Sequence, residues 1–119
     1  MKTIIILSHG SRHENGNSLS KKIASGIEEK TGITTRIANL QLSPPYLDDV
    51  IEEEYKKGVR EFLINPFFLH KGVHVIKDIP EYLKNLEKKY GDVKFVLTEV
   101  VGEHPDLVGI VENILRRYL

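Results

Sequence analysis

The sequence predicts an α/β protein: a four-stranded parallel sheet with helices on both faces. Two observations carry this expectation. A short β-branched apolar run is followed, four times over, by a stretch whose apolar residues recur at helical spacing. Each connection between runs therefore contains a helix, which suits right-handed parallel crossovers and not tight hairpins. With 119 residues the chain can bury one core and falls short of two ordinary domains. A single domain over residues 1–119 is expected.

The first run, Lys2–Leu7, is β-branched and apolar apart from Lys2 and the hydroxyl of Thr3, as suits a strand buried on both faces. A polar turn, Ser8–Asn17, follows. Leu19, Ile23 and Ile27 then recur every four residues, and Gly32 supplies a C-terminal stop. Ile33–Leu42 is the second strand, broken by Pro44 and Pro45. Leu47, Val50, Ile51 and Tyr55 form the next helical stripe, ended at Gly58. Glu61–Pro66 reads as the third strand. Asp78 is a good N-cap with Pro80 in the first turn, and Ile79, Tyr82, Leu83, Leu86 and Tyr90 follow at helical spacing. Val93–Thr98 is the fourth strand. The last helix opens near His104-Pro105-Asp106 and carries Leu107, Val108, Val111, Ile114, Leu115 and Tyr118. Tyr55, Tyr82, Tyr90 and Tyr118 are expected in the core. The strand order expected is 2-1-3-4, a small flavodoxin-like sheet.

Composition excludes several function classes. Lys plus Arg and Asp plus Glu number 17 each, so no excess of basic charge serves phosphate neutralisation along nucleic acid. No cysteine is present, which removes thiolate metal sites, iron–sulfur clusters and cysteine nucleophiles. The apolar run near the start, Ile4–Leu7, is far shorter than the roughly 20 residues of a membrane span and lacks the marks of a secretory signal. The expected location is the cytoplasm, with neither nucleic acid nor membrane as partner.

Ligands of open α/β sheets bind beyond the carboxyl ends of the strands. All five histidines fall in the turns there: His9 and His13 after the first strand, His70 and His74 after the third, and His104 after the fourth. Imidazole without thiolate suits Zn, Ni, Co, Fe or Cu better than Mg or Ca. Two histidines from separate loops would leave coordination positions open, as a protein that hands its metal on requires. Plainer roles compete with this one. His13 reads as a solvated turn residue, His104 as part of a helix N-terminus, and His70 as a surface or rim residue. A hydrogen-bonded structural role is the lesser alternative for His9, which directly follows a buried strand and precedes Gly10. The apolar loop around His74 suits either core packing or the wall of a pocket for a flat ligand. Gly10-Ser11-Arg12 can instead cradle a phosphate at the first helix N-terminus.

Three segments resemble the motifs of one family. Ser8-His9-Gly10-Ser11-Arg12 resembles its opening signature. Pro66-Phe67-Phe68-Leu69, Gly72, His74 and Asp78-Ile79-Pro80 resemble the second, and Gly102, His104-Pro105 and Leu107 the third. The chain is identified on these residues as a resemblance to the CbiX-type sirohydrochlorin chelatases, in their small archaeal single-domain form. The resemblance implies a chelatase-like α/β fold and a lyase activity. That activity inserts a divalent metal, Co²⁺ or Ni²⁺ and in some relatives Fe²⁺, into sirohydrochlorin, for cobalamin, coenzyme F430 or sirohaem synthesis. The metal is substrate, and no prosthetic group is implied. A homodimer holding the ligand in a cleft is implied, because the short form resembles half of a two-domain chelatase. His9 and His74 match the two metal-binding and catalytic histidines. Where the family usually reads Phe-Leu-Glu-Leu, this sequence reads Asn39-Leu40-Gln41-Leu42, so an acidic side chain is exchanged for an amide that takes up no proton.

Metal insertion removes two pyrrole protons and exchanges the metal's waters for ring nitrogens, and one imidazole nitrogen cannot bind metal and accept a proton at once. On this reading Phe67, Phe68 and Leu69 pack on the macrocycle, with Ser11, Gln41 and Gly72 in the substrate-binding loops. Arg12, Lys71 and Lys77 meet its carboxylates. Glu99 or Glu103 is expected to replace the missing carboxylate. Two other classes stay open: a non-catalytic carrier of metal or tetrapyrrole, favoured by Gln41, and a phosphate-ligand protein using residues 10–12.

Overall fold

β1 (Lys2–Ser8) forms the middle of the molecule because its residues Ile4–Leu7 are apolar on both sides and find cover on both. The computed structural model describes residues 1–13, 15–72 and 77–119. In chain order the elements after β1 are α1 (Ser18–Thr31), β2 (Thr35–Asn39), α2 (Leu47–Lys56) and β3 (Glu61–Pro66). They are followed by α3 (Ile79–Lys89), β4 (Lys94–Leu97), a 3₁₀ turn (Val101–Glu103) and α4 (Leu107–Arg116). All pairings are parallel and the strand order is β2-β1-β3-β4, as the sequence predicts.

The pleat sorts the apolar side chains of the sheet into two layers. Ile5, Leu7, Phe62 and Ile64 face α2 and α3, where Leu47, Val50, Ile51, Ile79, Leu83 and Leu86 complete the main core. Ile4 and Ile6 face α1, meeting Ala24, Ile23 and Ile27. Burying each of these large side chains contributes about 1.5–3 kcal/mol. The parallel ladders align the carboxyl ends of β1, β2 and β3 along one edge, with Ser8 opposite Asn39 and Leu7 opposite Pro66.

Four expectations need correction. β2 is shorter than Ile33–Leu42. It ends at Asn39, whose N–H donates to the carbonyl of Pro45, and Leu42 turns the chain with φ +75°. β4 spans four residues, shorter than Val93–Thr98. Asp78 occupies the N-cap position of α3 in helical geometry and makes no capping hydrogen bond with its side chain. Finally, Tyr55, Tyr82 and Tyr90 pack against the core, whereas Tyr118 is 82% exposed. Among the described residues the stripe on α4 is left uncovered: Val108, Val111, Ile114 and Leu115 are all exposed.

Among the described residues one charged side chain is buried. The Glu54 carboxylate, on α2, accepts a hydrogen bond from the Thr3 hydroxyl at 3.0 Å and pairs with Arg36 at 3.2 Å and Lys57 at 3.0 Å. Burial alone would raise its pKa. The Lys57 and Thr3 hydrogen bonds, with the charges of Lys57 and Arg36, outweigh burial and hold it below the ordinary value of 4.5. A depressed folded-state pKa stabilises above the unfolded value, and that contribution is lost as pH falls through the folded value. Glu54→Gln should therefore lower stability at pH 7 by about 1.5–3 kcal/mol. The difference from the native chain should shrink as the pH is taken below 4.5, which thermal melts across that range will measure.

Candidate functional site

His9 is the first residue beyond β1, half-buried at the carboxyl edge of the sheet. Its ring meets the Phe68 ring edge-on, with centroids 5.1 Å apart. Two backbone contacts tie the loop after β2 to this point. The N–H of Leu40 donates to the carbonyl of Ser8, and the N–H of Gln41 donates to the carbonyl of His9, each at 2.9 Å. These two bonds carry the pairing with β1 past the end of β2 and dock Gln41 on His9. The buried amide of Asn39 holds the rest of the loop, donating to Asn17 Oδ1 and to the carbonyl of Ser43 at 3.0 Å.

A hollow of about 250 Å³ opens here, walled by His9, Leu40, Gln41, Asp78, Ile79 and Tyr82. Tyr82 donates its hydroxyl proton to Asp48. Burial, then this hydrogen bond and the charges of Asp48 and Asp49, push the phenol above its ordinary pKa, so it stays protonated at any physiological pH. The hollow thus offers an imidazole, an amide, a carboxylate and a neutral phenol over an apolar floor. The sequence marks His9 and Gln41 as site residues and treats Tyr82 as core and Asp78 as a cap. Only the three-dimensional return of α3 to the end of β1 shows that both also line the hollow.

The remaining expected residues divide. Phe68 lies beside His9, while Phe67 packs on the opposite face of the sheet with Ile4 and Ile6. Leu69 is exposed, and its carbonyl lies against Gly102. Ser11 is tied by its N–H to Ser43 Oγ at 3.1 Å. Arg12, Gly72 and Lys77 are exposed, and Lys71 pairs with Glu103 at 3.7 Å. Glu99 and Glu103 are exposed and do not wall the hollow; Asp78 does. His13 and His70 are exposed, and His104 Nδ1 accepts the N–H of Asp106 ahead of α4, as its plainer role requires. His74 lies outside the described residues. Among the described residues no three His, Asp or Glu side chains gather into a metal cluster. The phosphate reading loses its premise, because α1 begins only at Ser18, six residues after Arg12.

Two motif glycines are explained by close approach. Gly10 has φ +102°, and a Cβ there would stand 1.8 Å from the carbonyl oxygen of Gln41. A Cβ on Gly102 would stand 1.6 Å from the carbonyl oxygen of Leu69. The N–H of Gly102 donates to the carbonyl of Phe68 at 3.1 Å. Each glycine lets two loops of the site touch backbone to backbone.

Comparison with known proteins agrees with the fold. The family model described as CbiX matches residues 3–118. The chain is 28% identical to a chloroplastic sirohydrochlorin ferrochelatase of Arabidopsis thaliana, over 98% of this chain and 52% of that protein. It is 30% identical to a sirohydrochlorin cobaltochelatase of Methanopyrus kandleri, over 77% of this chain and 64% of that one. The chain thus spans about half to two-thirds of the length of these two relatives. A CbiX protein from Marinobacter aquaeolei superposes with a TM-score of 0.88 at 30% identity, covering 99% of this chain and 97% of that one. The cobalt complex of the chelatase SirB from Bacillus subtilis shares the fold, with a TM-score of 0.85 at 20% identity over 98% of this chain and 50% of that one. No helix among the described residues is long and apolar enough to cross a membrane.

The contact under Gly10 is open to a direct check. Gly10→Ala should destabilise the protein by more than about 1 kcal/mol, since the conformation is unfavourable and the added methyl strikes backbone. The backbone amide resonances of His9 and Gln41 should both move. A melting temperature and amide spectrum like those of the native chain would contradict the contact.

Proposed function

The chain belongs to the CbiX family, and from that membership we propose that it is a sirohydrochlorin chelatase, inserting Co²⁺, Ni²⁺ or Fe²⁺ into the tetrapyrrole of cobalamin, coenzyme F430 or sirohaem synthesis. The observation that supports this reading best is the placement of His9. Its imidazole borders an open hollow at the carboxyl edge of the sheet, with hydrogen-bonding groups on one side and apolar surface beneath. In this reading His9 and His74 are the metal-binding and catalytic pair. One imidazole holds the incoming metal while the other takes a pyrrole proton. Phe68, beside His9, offers a face to the ring, and Leu69 a further apolar contact. Arg12, Lys71 and Lys77 meet carboxylates at its rim, with Ser11, Gln41 and Gly72 in the loops that receive it. Phe67 is better placed to brace the sheet than to touch the ring.

A hollow of 250 Å³ is smaller than the roughly 300–1,000 Å³ of pockets that enclose drug-sized ligands. It suits one edge of a macrocycle and a hydrated metal, and leaves the opposite wall to a second copy of the chain. Gln41 contributes no negative charge, and Asp78 is the carboxylate on the wall of the hollow. A carrier role without catalysis is the second reading, and Gln41 is the residue that favours it.

Anaerobic absorbance assays with sirohydrochlorin and each of Co²⁺, Ni²⁺ and Fe²⁺ separate these readings. The native chain should accelerate insertion of at least one metal. His9→Ala and His74→Ala should each slow it by about a hundredfold or more. Asp78→Asn should slow insertion, whereas Glu99→Gln and Glu103→Gln should leave it within about twofold of native, since neither glutamate lines the hollow. Binding of ring and metal with no gain over the spontaneous rate would establish the carrier reading.

A further inference from the structure

Tyr82 has a hydrogen-bonding direction that the structure fixes. It stands in the first turns of α3, on the face that Asp78 and Ile79 turn to the hollow. Its ring packs against the main core, and its hydroxyl reaches Asp48 in the first turn of α2. Asp48 is held there by its neighbours Leu47 and Val50, both buried. A phenol oxygen has a proton to give and lone pairs to receive, whereas a carboxylate has lone pairs alone. The proton therefore goes to Asp48. Whatever the Tyr82 oxygen offers the hollow it offers as an acceptor, and the anion behind it strengthens that character.

The rest of the wall points the same way. The Asp78 carboxylate accepts and does not donate, while His9 and Gln41 do either, and Leu40 and Ile79 are apolar. Among the described residues no lysine or arginine lines the hollow, and Lys71 is paired with Glu103. A carboxylate entering such a recess would meet acceptor with acceptor and negative charge with negative charge. A hydrated divalent cation is its opposite: it is positive, and every water of its shell turns hydrogens outward. A shell of about six waters, at about 30 Å³ of liquid volume each, fills roughly 180 Å³. The hollow offers about 250 Å³.

We propose that Tyr82 and Asp78 receive the metal as its aquo ion, through its waters, and that Asp48 is the positioning residue that holds the Tyr82 oxygen as an acceptor. Water-mediated contacts of this kind bind nearly as well as direct ones and leave the metal free to be passed on. Exchange of a water for the His9 imidazole then takes place at a cation the hollow has already seated. The inference rests on the reading of the hollow as the place where metal is received. It adds how the cation is told from the carboxylates of the ring: the cation enters the acceptor-lined hollow, and the carboxylates are turned away to the basic residues outside it. Tyr82, a core residue by its helical spacing, thereby supplies polarity at a site where Gln41 brings no charge.

Hexaamminecobalt(III) is the probe that tests this. It is a cation clothed in ammonia N–H donors, and it does not trade them for imidazole, so it reports recognition through the shell alone. Calorimetry of the native chain without tetrapyrrole should show the probe binding and Co²⁺ displacing it. The Tyr82 ring and the Gln41 side-chain amide should shift in NMR spectra as it binds. Tyr82→Phe leaves the charge of the chain unchanged and should weaken binding about five- to tenfold. Asp48→Ala and Asp48→Asn remove the same charge, but only asparagine keeps an acceptor for the phenol proton. Asp48→Asn should therefore hold the probe several-fold more tightly than Asp48→Ala, with circular dichroism confirming that each variant is folded. A native chain that does not bind the probe at these residues overturns the proposal. So does native affinity in Tyr82→Phe, or equal affinity in the two Asp48 variants. Probe binding by a chain that inserts no metal would count against the proposed function alone, and metal insertion by a chain that ignores the probe against this inference alone.

Discussion

Burial of β1 on both of its faces is the constraint from which the rest of the structure follows. Ile4 and Ile6 can be covered only from one side of the sheet, and Ile5 and Leu7 only from the other. Helices must therefore stand on both faces, and the strands to either side must be parallel so that their connections can supply those helices. The ladders to β2 and β3 then fix the end of β1 to within one residue. His9 follows directly, and its place at the sheet edge is inherited from the core.

The site is assembled from that edge by backbone more than by side chains. The loop after β2 is docked on Ser8 and His9 through two amide hydrogen bonds, with Gly10 leaving the space for it. The 3₁₀ turn after β4 is docked on the β3 loop in the same way, through Gly102. Segments distant in the chain thus meet in pairs, the first motif with the β2 loop and the third motif with the second, through backbone atoms whose only sequence signature is the absence of a Cβ. Among the described residues the hollow presents the His9 imidazole, the Gln41 amide, the Asp78 carboxylate and a phenol kept neutral by burial and Asp48.

Much of this was legible in the sequence, for reasons that particular residues make plain. A parallel sheet with β1 inside it follows from Ile4–Leu7 being apolar on both faces and from a helix in every connection; the order β2-β1-β3-β4 matches the flavodoxin-like expectation. The sequence singles out the His9 region because ligands gather beyond strand ends, and the structure brings His9, Gln41 and Phe68 together there. The end of β2 was not legible, since Asn39 stops the strand by a bond to Pro45, a contact between residues with no local signature. Asp78 and Tyr82 read as cap and core because helix periodicity says nothing about which strand end a helix will overhang. The α4 stripe misled for another reason: apolar residues at helical spacing do not record which surface, if any, lies beneath them.

The most direct test of the central claim, that the hollow at the end of β1 is where metal is received, is a Co²⁺ titration of the native protein followed by the imidazole signals in nitrogen-15 NMR. The His9 ring and one other, His74, should shift and broaden at the lowest metal additions, with His13, His70 and His104 unmoved. Early loss of the signals of those three, with the His9 ring undisturbed, would contradict the account.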